Sequence, residues 1–316
     1  MKYAAKRIAM LLVTMVIVSL LAFVAFDLIS GDPATAMLGT EATPERVAAL
    51  REELGLNRPL MVRYMEWLLG FFTGNLGISY SYYQPVWELI APKVLVTLCL
   101  SLIGFLMIVV VSVPLGVRSA RTAGGRLDGV GTAFNQLCMA VPPFFTGILM
   151  TWLFSIVLKW FIHGQFPDLS VDFFGAVKYL FFAAVALAIP RIAMTVRMLR
   201  STILEEMQKD YVRTAISRGN DRAGVLYRHV LKNALVPVVT FLAQTMAEIV
   251  AGGIVVEQVF AIPGLGRMLV ASISNRDYPV VQAIVVILAF WVVLAGTVAD
   301  IINQRIDPRL RLGGGS

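Results

Sequence analysis

Six apolar segments constrain this chain more than any other feature, each long enough as a helix to cross a lipid bilayer. They lie near Ile8–Ile29, Val94–Val117, Gly131–Leu158, Ala176–Leu199, Pro237–Phe260 and Val280–Ile302. Within hydrocarbon every backbone amide must find its partner inside its own segment, which a helix provides. The chain therefore reads as an all-α polytopic membrane protein with six transmembrane helices. Composition agrees. Only 15% of the 316 residues are charged, against about 25% in soluble domains, and 58% are hydrophobic. A soluble enzyme, a disordered chain and a disulfide scaffold are excluded. Cys99 and Cys138 fall inside apolar stretches and read as small packing residues. The first segment has the marks of a signal peptide, with Lys2, Lys6 and Arg7 before it and Ala34-Thr35-Ala36 after it. Its apolar core of about 20 residues exceeds the usual 7–15, so it is read as a retained span.

Basic residues set the orientation. With the N-terminus inside, 17 of the 27 lysines and arginines fall on the cytoplasmic side and nine outside, with Arg191 inside the fourth span. The outer side also carries 12 of the 20 acidic residues. An N-in, C-in arrangement follows. The net charge of +7 is then positive charge facing the cytoplasm, and no nucleic-acid partner is expected.

Two connections are patterned. In the outer loop, residues 31–92, Thr43 and Pro44 start a helix that Gly55 stops. A second helix begins near Pro59, with Met61, Tyr64, Met65, Leu68, Leu69 and Phe72 at helical spacing. With Tyr64 and Trp67 these helices suit the membrane interface, as a packing cap or as a docking surface for an external partner. The inner connection, residues 200–236, carries eleven charged side chains besides His229 yet keeps apolar residues at helical spacing on either side of Gly219-Asn220. Two short amphipathic helices are predicted there, a rigid lever for another protein to push on.

No catalytic or nucleotide-binding constellation occurs. There is no G-x-x-x-x-G-K-[ST] run, and Gly264-Leu265-Gly266-Arg267 is too short for a dinucleotide loop. His163 and His229 lie far apart in the topology, so neither a metal pair nor a nucleophile–base couple is suggested. The chain is thus not expected to be an enzyme or to bind a cofactor or metal. Within the spans Glu248 is the clearest charge, joined by Asn135, Gln136 and Gln244, while Pro142-Pro143 and Pro190 can break helices at membrane depth. A carboxylate there reads as a buried functional group or as a local hydrogen-bonding one.

The run Asp210-Tyr211-Val212-Arg213-Thr214-Ala215-Ile216-Ser217-Arg218-Gly219, followed by Arg228-His229-Val230-Leu231-Lys232-Asn233-Ala234-Leu235-Val236-Pro237, resembles the coupling loop of ABC-importer permeases. More narrowly it resembles the B-type subunit of the dipeptide/oligopeptide/nickel permease family. Arg213-Thr214 stand where Glu-Ala is usual, and the closing proline comes at Pro237. Further matches are Gly31-Asp32-Pro33, Leu54–Leu60, Gly74–Ser79, Pro263–Gly266, Arg276–Val281 and Asp307-Pro308-Arg309. Gly313-Gly314-Gly315-Ser316 reads as a linker left by cloning and is set aside.

The resemblance implies the type I ABC importer permease fold, with a cytoplasmic coupling helix between helices four and five. It divides the chain into a first span (1–30), the outer loop (31–92), a permease core (93–304, coupling loop 200–236) and a cytoplasmic tail (305–312). It implies as partners a second homologous permease, two cytoplasmic ATPases that bind ATP and Mg, an extracytoplasmic substrate-binding protein and the lipid bilayer. The coupling residues it assigns are Asp210, Tyr211, Arg213, Thr214, Ala215, Arg218, Gly219 and His229. Tyr211 and Ala215 would insert into the ATPase, with Arg213 and Arg218 at the rim. Glu248, Gln244 and Glu257 are the candidate pathway or gate residues. Peptides are the implied cargo, and nickel or metal chelates, glutathione or another small solute are alternatives. An ion-coupled secondary transporter would show charged or unwound sites in paired halves, and no clear internal repeat is visible.

Overall fold

A computed structural model describes residues 2–29, 32–126 and 128–306. Gly31, Asp307-Pro308-Arg309, the tail from residue 307 and the Gly313–Ser316 run lie outside the described residues. Helices run over Lys2–Ile29 (α1), Pro33–Leu38 (α2), Pro44–Glu53 (α3), Leu60–Thr73 (α4), Val86–Arg121 (α5), Asp128–Ala140 (α6) and Pro143–Met150 (α7). They continue over Phe173–Glu206 (α8), Asp210–Ser217 (α9), Arg222–Val225 (α10), Leu231–Val259 (α11), Leu265–Ser274 (α12) and Tyr278–Ile306 (α13). Among the described residues β pairing is limited to one bridge, between Ile78 and Pro85.

Five stretches are long and apolar enough to cross a membrane unbroken: Ile8–Leu28, Val86–Arg121, Phe173–Glu206, Arg222–Val259 and Tyr278–Ile302. The expected third span, Gly131–Leu158, is instead a bent pair, Asp128–Ala140 and Pro143–Val157, turned by 96°. Pro142 and Pro143 cause the break. Neither has an N–H for the helical ladder, and a residue before proline is pushed out of helical geometry. Pro142 itself is extended, with φ −66° and ψ 146°. Counting the pair as one span restores six. Pro190 does not interrupt α8, which stays helical and buries the ring.

The described chain divides into two compact units. One comprises residues up to Thr97 with Ile262–Val293, the other Leu98–Ala261 with the residues from Leu294 on. In the first, α4 lies on α1. Tyr64, 2% exposed, donates to the Val16 carbonyl at 3.2 Å and shares a 2.9 Å hydrogen bond with Ser19. Arg63 pairs with Asp27 at 2.6 Å. Met61, Met65, Leu69 and Phe72 stay exposed, so the expected apolar face of α4 is divided between α1 and the surroundings. The helix in front of it, α3, is capped as its sequence requires: Thr43 accepts from the Arg46 amide, and Gly55 turns the chain at φ +68°.

In the second unit α6, α7 and α11 all pack on α8. Glycines permit the close approach. Leu187 reaches the spaces left by Gly104 and Gly252, and a Cβ on Gly116 would lie 2.8 Å from Leu199. Small residues at such crossings let helix backbones approach where no hydrophobic drive separates protein from lipid. At one end Tyr179 donates to the Phe260 carbonyl at 2.6 Å and accepts from the Gly164 amide at 3.2 Å. Phe161 and Phe166 meet its ring edge-on, and Phe182 and Phe260 stack on Phe161.

Candidate functional site

The connection between α8 and α11 is shorter than the sequence suggests. The helix of the fourth span runs on to Glu206, and the second predicted amphipathic helix is the beginning of the fifth span, joined to it through α10 and a π-helical turn at Leu226–Val230. Only α9 stands free as a separate short helix. Periodicity alone cannot distinguish a separate amphipathic helix from the polar end of a longer one, since both carry the same spacing.

Local chemistry fixes how α9 is held. Val212 is fully buried and Tyr211 points back into its own chain. The Tyr211 hydroxyl donates to Glu206 Oε1 at 3.0 Å and accepts from Asn233 Nδ2 at 3.3 Å, tying α9 to the end of α8 and the start of α11. Lys209 pairs with the same Glu206 carboxylate. Burial, countered in part by the Asn233 hydrogen bond, holds the Tyr211 hydroxyl above its ordinary pKa, so it remains a neutral donor. Tyr211 thus ties α9 to the ends of the two long helices beside it. Ala215 is half-buried beside it.

The outward face of α9 carries Asp210, Arg213, Thr214, Ile216, Ser217 and Arg218. Asp210 and Arg213 are 98% and 79% exposed, and their 3.8 Å contact leaves both charges in solvent. Gly219 ends the helix at φ +86°, a left-handed conformation that glycine adopts without steric cost. The Asn220 amide reaches back to the Ala215 carbonyl at 3.3 Å and the Gly219 amide to Ile216 at 2.9 Å, a Schellman-type close. Asp221 then caps the next helix through the Gly224 amide. His229 is exposed on the π-helical turn. The structure thus brings Asp210, Arg213, Thr214, Arg218 and Gly219 onto one exposed lobe and sets Tyr211 behind it.

Glu248 is not buried. Its side chain is 51% exposed and forms an ion pair with Arg191 of α8, whose side chain is 29% exposed. Gln244, one turn earlier, is exposed on the same face of α11. Glu257 departs from that set. Nine residues beyond Glu248, it stands on the opposite side of α11 and is fully buried. Gln244 and Glu248 thus share one exposed face of α11, and Glu257 lies buried on the other.

One ion pair and one hydrogen-bonded carboxylate join residues far apart in the chain, which sequence spacing does not reveal. Arg200 donates to both oxygens of Asp128 at 3.0 and 2.7 Å, clamping α6 to α8. In the first unit Asp277 is wholly buried. It receives the Ser79 hydroxyl, the Tyr80 amide at 3.0 Å and the Ser81 amide at 3.3 Å. The signal for this second site was present in the sequence, since Gly74–Ser79 and Arg276–Val281 both stood out as short motifs.

The family described as binding-protein-dependent transport system inner membrane component matches residues 112–312. Its N-terminal companion, described as binding-prot-dependent transport system membrane comp, N-term, matches residues 1–101. A putative peptide transport system permease protein of Brucella abortus is 38% identical, covering 97% of this chain and 98% of that protein. The oligopeptide transport system permease protein AppB of Bacillus subtilis is 34% identical, covering 98% of both chains. The dipeptide transport system permease protein DppB of Escherichia coli is 31% identical over 98% of this chain and 99% of its own.

Proposed function

Because this chain belongs to the family of binding-protein-dependent transport system inner membrane components, and is a multi-pass permease of the ABC importer class, we propose that it forms half of the pathway by which an ATP-driven importer takes up di- and oligopeptides. The observation that carries the cargo is the likeness along 97–98% of the chain to permeases named for peptides. ATP and Mg bind to two partner ATPases, an extracytoplasmic binding protein delivers the cargo, and a second related permease supplies the other half of the pathway. The termini lie in the cytoplasm, as the basic asymmetry requires.

The exposed lobe of α9 takes up ATPase motion. Tyr211, Glu206 and Asn233 join that lobe to α8 and α11, so displacement at Arg213 and Arg218 passes to both spans as one body. Gln244 and Glu248 line the pathway on α11. Purification of the chain with its partner permease and ATPases, followed by reconstitution with the binding protein into vesicles, tests the reading. ATP-dependent accumulation of a labelled dipeptide is expected. Accumulation of nickel chelate or glutathione with no peptide uptake would replace the cargo, and uptake driven by an ion gradient without ATP would reject the class.

A further inference from the structure

Arg191 and Glu248 pose a question that the rest of the bundle does not. Arg191 follows Lys178 by 13 residues and precedes Arg197 by six, and Glu248 lies 16 residues beyond Lys232. At about 1.5 Å per residue, both sit well inside the apolar length of their helices. The two side chains pair with one another and remain 29% and 51% exposed. Gln244 extends the polar stripe by one turn. Charges at this depth face a water-filled cavity or protein and do not face lipid.

We propose that the Arg191–Glu248 pair lines the transport route and selects cargo that carries both an ammonium and a carboxylate. This rests on the reading of the chain as half of a peptide pathway. An ion pair presents a dipole with no net charge. A cargo of one sign meets one attraction and one repulsion there, whereas a zwitterion laid antiparallel satisfies both groups. Free peptide termini are such a zwitterion. A peptide with acetylated and amidated ends, or a cationic metal complex, is not.

The test uses the assembled importer with Cys99 and Cys138 replaced by serine. Glu248→Cys is expected to react with a hydrophilic thiosulfonate, and the anionic reagent is expected to react roughly tenfold faster than the cationic one because Arg191 is left unpaired. Arg191→Gln in the same background is expected to abolish that preference. In uptake assays, Glu248→Gln is expected to reduce transport of the free dipeptide severalfold more than that of its end-blocked analogue. The reversed pair, Arg191→Glu with Glu248→Arg, is expected to recover more free-dipeptide uptake than either single reversal. Failure of both reagents to reach position 248, while a loop position on α9 reacts, overturns the proposal. Equal loss for free and blocked peptides overturns the selection. Absence of any peptide uptake in the unsubstituted importer, with position 248 still labelled, overturns the peptide reading and the zwitterion selection together, and leaves the pair as pathway lining.

Discussion

Asp277 shows how much one side chain can organise in a loop region without regular structure. Its carboxylate is fully buried, yet it accepts from two backbone amides and the Ser79 hydroxyl. Ser79 in turn accepts from the Tyr82 amide at 3.0 Å. One anion therefore fixes the turn over residues 79–82, 198 positions away in the chain. Hydrogen bonds to a charged group are each worth about 1.5–3 kcal/mol, and donors left unmet in a buried site cost about as much. Asp277→Ala should therefore lower the thermal midpoint of the purified importer and speed proteolysis near residues 77–85. Ser79→Ala should do the same more weakly, since the two amide donors keep their acceptor. Proteolysis of Asp277→Ala at the unsubstituted rate would show that the turn is held by other means. Tyr80 lies in the same turn, and burial raises its hydroxyl above the ordinary pKa.

At the level of helices, packing depends on where backbones are allowed to meet. Gly116 on α5 has Leu199 of α8 so close that a Cβ would lie 2.8 Å from Cδ2 and 3.0 Å from Cβ. The Cβ of Leu199 belongs to a buried helix and cannot swing aside as a side-chain tip could. Gly116→Val should cost about 1–3 kcal/mol by overpacking. Gly116→Ala should cost less, and Leu199→Ala added to it should recover part of the loss. Thermal unfolding of the four proteins gives the coupling, and strict additivity would refute the contact. Such a pair is invisible in sequence, because a glycine in an apolar run carries no sign of its neighbour. The elements themselves were more legible. The Thr43-Pro44 start and the Gly55 stop delimit α3, and the Gly219-Asn220 turn closes α9, since caps and left-handed turns are local chemistry. The bend at Pro142-Pro143 was marked by its residues, but hydropathy ran straight through it and suggested a single span. Apolar spacing assigns Tyr211 a face of its helix, whereas the hydrogen bonds of its hydroxyl depend on Glu206 and the distant Asn233, which spacing does not pair with it. Glu248 was found as a charge in an apolar run, while its partner Arg191 belongs to another helix.

For the molecule as a whole, direction and coupling each have their own observable. The basic asymmetry of 17 against nine predicts that cysteines placed at 40–75 and 263–277 react with an impermeant reagent from outside. Those at 120–128 and 203–232 should react only from inside. Reaction of Arg218→Cys from outside alone would reverse the topology and remove α9 from the ATPase side. Coupling is tested at Gly219. The residue adopts φ +86° in the open, and a Cβ there meets nothing within 4 Å. A substitution thus brings backbone strain of about 1 kcal/mol and no clash within this chain. Asparagine and aspartate tolerate this conformation better than other side chains and have nearly the same shape. They differ in charge. If the α9 lobe seats in an ATPase groove, Gly219→Asp buries an unpaired carboxylate there at about 1–3 kcal/mol, and Gly219→Asn does not. The expected outcome is that Gly219→Asp lowers the amount of ATPase retained on the purified complex and uncouples hydrolysis from uptake, while Gly219→Asn is milder in both. Insertion of the spans should be equal in the two, because neither change touches an apolar segment. Normal retention and normal transport in both variants would mean that the lobe of α9 faces solvent throughout the cycle, and the lever would then have to be sought elsewhere on the connection between α8 and α11.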